Sequence, residues 1–235
     1  MSSSPPSLPY AAVVAWWLTA WLQGHEQTDH VLDALAEETH LLEGGSALDL
    51  LTRSRVGGAT YAGLALPVHG DPLGLGGPRA FNEAAMEAGQ AVVAGSVGLV
   101  PDERGESVQW RVFEASPRQL PDVGEADRGL REALVGAAGD LAALDVARWR
   151  PEAADALMNL HHRPALDAPL GTPPQCVDLA ARGLQAWAIV DLALADDGGA
   201  ISAFEVQRRR GLLQPLGRAG RRAIVAACSP EVWPP

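Results

Sequence analysis

The residues with the most chemical potential lie between Val68 and Ala88 (VHGDPLGLGGPRAFNEAAMEA), where His69, Asp71, Asn82, Glu83 and Glu87 offer nitrogen and oxygen ligands and Arg79 a fixed positive charge. Glu83 and Glu87 are four apart and share a face if the segment is helical. With Asp71 from the preceding loop they form a candidate metal set for a hard cation of the Mg²⁺ or Mn²⁺ type, which takes carboxylate oxygens. Asp71 or Glu83 would also serve as an acid/base group. Gly74-Leu75-Gly76-Gly77-Pro78-Arg79 begins like a dinucleotide-binding fingerprint, but Arg79 stands where the third glycine belongs and puts a large side chain where helix and strand must approach. A looser anion cradle survives, with the backbone amides of Gly76 and Gly77 and the first helical turn beside Arg79. The candidate ligand-binding set is Asp71, Gly76, Gly77, Arg79, Asn82 and Glu83, and the metal set Asp71, Glu83 and Glu87. The plain alternative is a structural loop followed by a helix whose glutamates face water.

Other patterns fail on geometry. His25-Glu26-Gln27-Thr28-Asp29-His30 is one residue longer than the zinc-protease spacing; histidines five apart on a helix are turned by about 140° and cannot grip one ion. Ala94-Gly95-Ser96-Val97-Gly98 approaches a nucleophile elbow, yet Ser96 sits inside an apolar run rather than between a strand and a helix. Arg208-Arg209-Arg210 with Arg218, Arg221 and Arg222 could track a nucleic-acid backbone, but three consecutive residues spread over about 200° of a helix and form no single stripe. His161-His162 close a helix, where such side chains complement the carbonyl end. Asp178 and Asp191, 13 residues apart, do not share a helix face.

All 18 basic residues are arginine, against 29 Asp plus Glu, for a net charge of −11. Without lysine there is no Schiff-base, P-loop, kinase-type or serine–lysine chemistry. The acidic balance repels phosphate backbones, so neither general nucleic-acid binding nor anionic-membrane binding is expected. Residues 200–235 run the other way, with six arginines against Glu205 and Glu231, and are expected to pair with the acidic remainder.

These residues must be held by a chain of 235 residues that is 47% hydrophobic and 20% charged, an ordinary globular composition. Met1 to Pro9 reads as a loose tail. Tyr10 to Leu22 reads as a helix apolar nearly all round, too short for the roughly 20 residues of a bilayer span, and so buried on more than one side. A second short helix follows from Thr28 or Asp29. Next come a short strand at Leu41-Leu42, a helix capped by Ser46, a strand over 60–68, a helix from Pro78 to Ala88, an extended run over 91–100 and a strand over 108–114. Beyond Pro117 and Pro121 the chain reads as helical: 125–144, 150–161, 174–195 and 201–227, the last broken near Gly211 to Pro215. The expected class is α+β (mixed α/β): a small mixed sheet of three or four strands with packed helices, then a helical C-terminal portion. The expected parts are a tail (1–9), a mixed portion (10–120) and a helical portion (121–235), packed as one compact unit.

The strings GDPLGLGGPRAFNEAAMEAGQAV and AWWLTAWL, with the lysine-free composition rich in Ala, Arg and Gly, resemble an uncharacterised family of high-GC actinobacterial proteins with no assigned function. The resemblance implies a source and no activity.

Two cysteines, Cys176 and Cys228, make no disulfide framework, and the first nine residues carry no Lys or Arg for a secretory signal, so a cytoplasmic location is expected. The leading functional expectation is a non-catalytic protein that binds another protein, itself first as a homo-oligomer, through Trp16, Trp17 and Trp21, since tryptophan is enriched at interface cores. The alternative is a small-molecule or metal-dependent ligand-binding protein or enzyme using the Gly70 to Glu87 loop and helix. The sequence does not decide whether the chain is an enzyme, and it names no cofactor.

Overall fold

The structure, a computed structural model, describes residues 7–36, 39–41, 46–104, 107–116, 118–143, 165–195 and 203–234. Its elements are α1 (Tyr10–Leu22), α2 (Thr28–Ala36), β1 (Thr39–Leu41), α3 (Ala47–Val56), β2 (Gly63–Ala65), α4 (Arg79–Ala88), β3 (Ala91–Ala94), β4 (Val97–Arg104) and β5 (Ser107–Glu114). Then follow α5 (Val123–Ala143), α6 (Pro174–Ala195), α7 (Ala203–Ala227) and a 3-10 turn at Pro230–Val232. The helix expected over 150–161, with His161 and His162, lies outside the described residues.

The chain adopts the expected α+β class, with one strand more than expected. The strands form a five-stranded sheet in the order β1-β5-β4-β3-β2, with β1 parallel to β5 and every other pair antiparallel. The extra strand comes from the run over 91–100, which folds back on itself: Ala94 pairs with Val97 across the two-residue turn Gly95-Ser96, where Gly95 takes φ 60°. A tight hairpin turn needs such positive φ, and glycine reaches it without strain.

Period-2 alternation sends side chains to two different layers. Leu64, Val92, Leu99 and Trp110 face the main core with α1, whereas Ala65, Val93 and Val100 face Phe81, Ala84 and Ala85 of α4. A Cβ on Gly98 would lie 2.6 Å from the Phe81 ring, so this glycine is the seat on which α4 rests.

The all-round apolar α1 lies between the sheet and the helical portion. Thr19 Oγ1 donates to Ala62 O at 2.8 Å and accepts from Ala62 N at 3.0 Å, while Trp16 Nε1 donates to Ala227 O at 3.1 Å. Its core is continuous with Leu130 of α5, Leu179 of α6 and Ile224 of α7. The N-terminus of α3 carries the expected cap: Ser46 and Asp49 form a reciprocal capping box.

The last helix is not broken. Pro215 lies inside α7, which runs through it with Leu213 and Leu216 fully buried on either side. Tertiary packing outweighs the lost backbone hydrogen bond there. Helices α6 and α7 meet closely at Gly183 and Gly220, where a Cβ on Gly183 would come within 3.0 Å of Gly220 O. The chain leaving α7 covers the free edge of β2, Leu64 N donating to Cys228 O and Ser229 Oγ at 3.2 Å each. Among the described residues no helix is long and apolar enough to cross a membrane.

Candidate functional site

Between β2 and α4 the chain makes a narrow excursion. Leu66 N donates to Leu73 O at 3.1 Å, and Val68 and Asp71 exchange backbone bonds at 3.0 and 2.9 Å, which leaves His69-Gly70 as the tip of a small hairpin. Gly74 closes it with φ 79°, and a Cβ there would lie 2.8 Å from Leu64 O, so only glycine fits both the backbone and the space.

Two arginines from distant parts of the chain fix this excursion. The Arg118 side chain is 3% exposed and donates from Nη1 to Leu64 O (2.7 Å) and Gly74 O (3.1 Å), from Nη2 to Ser229 Oγ (3.2 Å), and from Nε and Nη2 to Glu231 Oε1 (3.1 and 2.9 Å). Burial pulls its pKa down and Glu231 opposes the shift. Arg221 donates to Leu66 O at 3.0 Å and pairs with Asp71 Oδ2 at 2.8 Å. The expected pairing of the basic C-terminal region with acidic residues elsewhere is realised in the Arg221–Asp71 contact, whereas Glu231 with Arg118 reverses it, a C-terminal acid holding an arginine from the rest of the chain.

Beside the excursion lies an open cavity of about 680 Å³, walled by Asp71 to Leu75, by Arg118 to Pro121, by Glu125 of α5 and by Arg222 of α7. Its charged wall residues divide into two kinds. Arg118 and Asp71 are committed to Glu231 and Arg221. Arg222 and Glu125 line the same space, and among the described residues neither side chain has a hydrogen bond or an ion pair. An arginine of this kind is a planar, permanently charged donor fork suited to carboxylate or phosphate.

On the other side of the excursion, His69, Gly77, Arg79, Asn82, Glu83 and Met86 border a shallow groove of about 820 Å³. Its arginine is already paired, since Arg79 Nε donates to Glu83 Oε1 at 2.6 Å with the two side chains 89% and 61% exposed. Asn82 Nδ2 ties α4 to the loop through Gly77 O at 3.0 Å, and its Oδ1 is buried without a partner. Ser116 N donates to Gly76 O at 3.0 Å.

The candidate residues read from the sequence are thus separated. Gly77, Arg79, Asn82, Glu83 and Glu87 border the outer groove, while Asp71 lies at the junction cavity under Arg221. The metal set Asp71, Glu83 and Glu87 is not assembled, because the hairpin turns Asp71 toward α7; among the described residues no three His, Cys, Asp or Glu side chains gather as a metal site. Of the three candidate interface tryptophans, Trp16 and Trp21 face inward. Trp16 and Trp21 are 1% and 8% exposed, Trp21 Nε1 donates to Thr28 Oγ1 at 3.0 Å, Arg55 stacks 3.6 Å over the Trp21 ring, and Trp17 packs partly buried on the same core. Sequence reasoning missed Arg118 and Glu125, and read Arg222 only as part of a basic set weighed for nucleic-acid binding. The signal was thin: a lone arginine in a proline-flanked link, a first-turn glutamate, and an arginine within a generally basic helix.

An α+β portion and a helical portion, with three helices among the described residues, meet at a ligand-sized cavity, and the family models divide the chain near the same place. Residues 11–125 match the model of the Rv1486c-like protein, N-terminal domain, and residues 124–225 that of the Rv1486c-like protein, C-terminal domain; the chain belongs to this family, which has no assigned function. Two relatives from Mycobacterium tuberculosis, the uncharacterized proteins Rv1486c (strain H37Rv) and MT1533 (strain CDC 1551), are each 28% identical over 286 aligned residues, spanning 93% of this chain and 96% of theirs. The actinobacterial resemblance is borne out by these relatives. No solved structure matches.

Proposed function

We propose that the protein binds a small anionic molecule, a carboxylate or phosphate compound, in the cavity between the Asp71–Leu75 loop, the 118–121 link and α7. The observation that carries this reading is Arg222, a half-buried guanidinium lining a cavity of about 680 Å³ with no partner among the described residues. Three further features support it. The loop is fixed from below by Arg118 and Arg221, so the cavity is formed before any ligand arrives, and preorganised sites lose less entropy on binding. The cavity lies between two portions of the chain, where small-molecule sites concentrate. Its wall includes Pro72, Leu73 and Leu120, which give a ligand an apolar surface. A cytoplasmic location accords with two unpaired cysteines.

Native mass spectrometry of freshly purified protein tests the proposal. The expected result is retained mass on each subunit, or mass gained on adding small carboxylates and phosphates, and loss of that mass in Arg222→Gln. Bare subunits under all of these additions, or retained mass indifferent to Arg222→Gln, overturn it.

A further inference from the structure

We infer that the occupant of the junction cavity is a zwitterion with an apolar body, of the free amino-acid or short-peptide class. This deepens the reading given above and rests on it. Arg222 and Glu125 are opposite charges on the wall of one cavity, yet they do not pair with each other or with any described residue. The nearby charges are already neutralised: all five N–H groups of Arg118 are used, and Asp71 is held by Arg221. A bare anion would leave Glu125 as an unanswered negative charge near its own site, which disfavours binding. A ligand carrying both a carboxylate and an ammonium meets both groups, the first as a charge-assisted donor fork on Arg222 and the second on the Glu125 carboxylate. The same cavity is also lined by Pro72, Leu73, Leu75, Leu120 and Pro121, apolar side chains that would accept an aliphatic or aromatic substituent.

A first-turn carboxylate such as Glu125 also complements the positive end of α5. Its role toward a ligand is therefore read from selectivity and not from stability.

The experiment is calorimetric titration of the full chain with leucine, leucyl-leucine, N-acetyl-leucine and leucinamide. The expected order has the zwitterions binding at least about tenfold more tightly than either blocked compound. Arg222→Gln is expected to weaken leucine and N-acetyl-leucine while leaving leucinamide unchanged, and Glu125→Gln to weaken leucine and leucinamide while leaving N-acetyl-leucine unchanged. Circular dichroism of both variants checks that they fold. If N-acetyl-leucine binds as tightly as leucine and depends on Arg222, the zwitterion inference is overturned while the anion site stands. If none of the four binds and phosphate or acetate also leaves no Arg222-dependent mass on the subunit, both fail. Leucine binding that ignores both substitutions overturns the assignment to this cavity. Comparison of leucine with leucyl-leucine separates the two sources of the same end groups.

Discussion

Arg221 and Asp71, 150 residues apart in sequence, meet at 2.8 Å between Nη2 and Oδ2, and the same guanidinium donates from Nη1 to Leu66 O at 3.0 Å. One side chain of the last helix thus holds both strands of the small hairpin that walls the cavity. The two side chains are 9% and 20% exposed, so the pair is poorly screened and its partners depend on each other.

Asp71→Ala should therefore cost about 3 kcal/mol, because it leaves a buried arginine charge uncompensated. The double replacement Asp71→Leu with Arg221→Met should recover most of that loss, since both charges are then gone. Urea unfolding of the three proteins checks this. A single Asp71→Ala variant as stable as the parent would mean the pair contributes no net stability.

The fold was largely legible because periodicity and punctuation are local. The ends of α6, the Ser46 cap of α3 and the β4–β5 hairpin follow from proline, capping and alternating residues that announce themselves within a few positions. What was not legible depends on distant partners. The Val68–Ala88 segment read as one site, but the hairpin tip at His69-Gly70 splits it, sending Asp71 to Arg221 and Glu83 to Arg79. No local pattern distinguishes an aspartate bound for a helix 150 residues away from one beside its neighbour's glutamate. The tryptophans show the same limit: a helix apolar nearly all round has one sequence signature whether its cover is another subunit or, as here for Trp16, the chain's own C-terminal helix.

Gly63 is a spacer for Arg118. A Cβ at that position would collide with Arg118 Nη2 and come within 2.6 Å of Glu231 Oε2, and the guanidinium is enclosed and cannot step aside. Gly63→Ala should cost about 2 to 3 kcal/mol through overpacking and the loss of bonds to Leu64 O and Gly74 O. Adding Arg118→Met should make the alanine nearly neutral. A double-mutant cycle measured by denaturant unfolding gives the coupling directly, and additivity of the two changes would show that they do not touch.

Trp16 is a core residue with one polar duty. Trp16→Ala should cost about 4 kcal/mol as a large buried cavity, whereas Trp16→Phe, which keeps most of the ring volume and loses the bond to Ala227 O, should cost about 1 to 2 kcal/mol. Sedimentation of Trp16→Phe should match the parent protein. A changed assembly state with stability intact would show an intermolecular role for this helix.

Cys176 and Cys228 are fully buried thiols in the main core. Desolvation pushes Cys176 from its ordinary 9.0 up to about 11, and burial raises Cys228 well above the same value. Only the thiolate is nucleophilic, so neither should react with an aromatic disulfide reagent in the native protein, and both should react on unfolding. Labelling should then proceed through opening of the fold, and Asp71→Ala should speed it. The pH dependence follows from the direction of the shifts. A folded-state pKa above the unfolded one means that the native protein holds the proton more tightly, so the contribution is intact below pH 9.0 and is lost as pH rises through about 11. The urea midpoint should fall across that window, and Cys176→Ala should flatten the fall relative to its own value at neutral pH. Rapid labelling of both thiols in the folded protein would show that the core opens at α6 and the end of α7 far more readily than its packing implies.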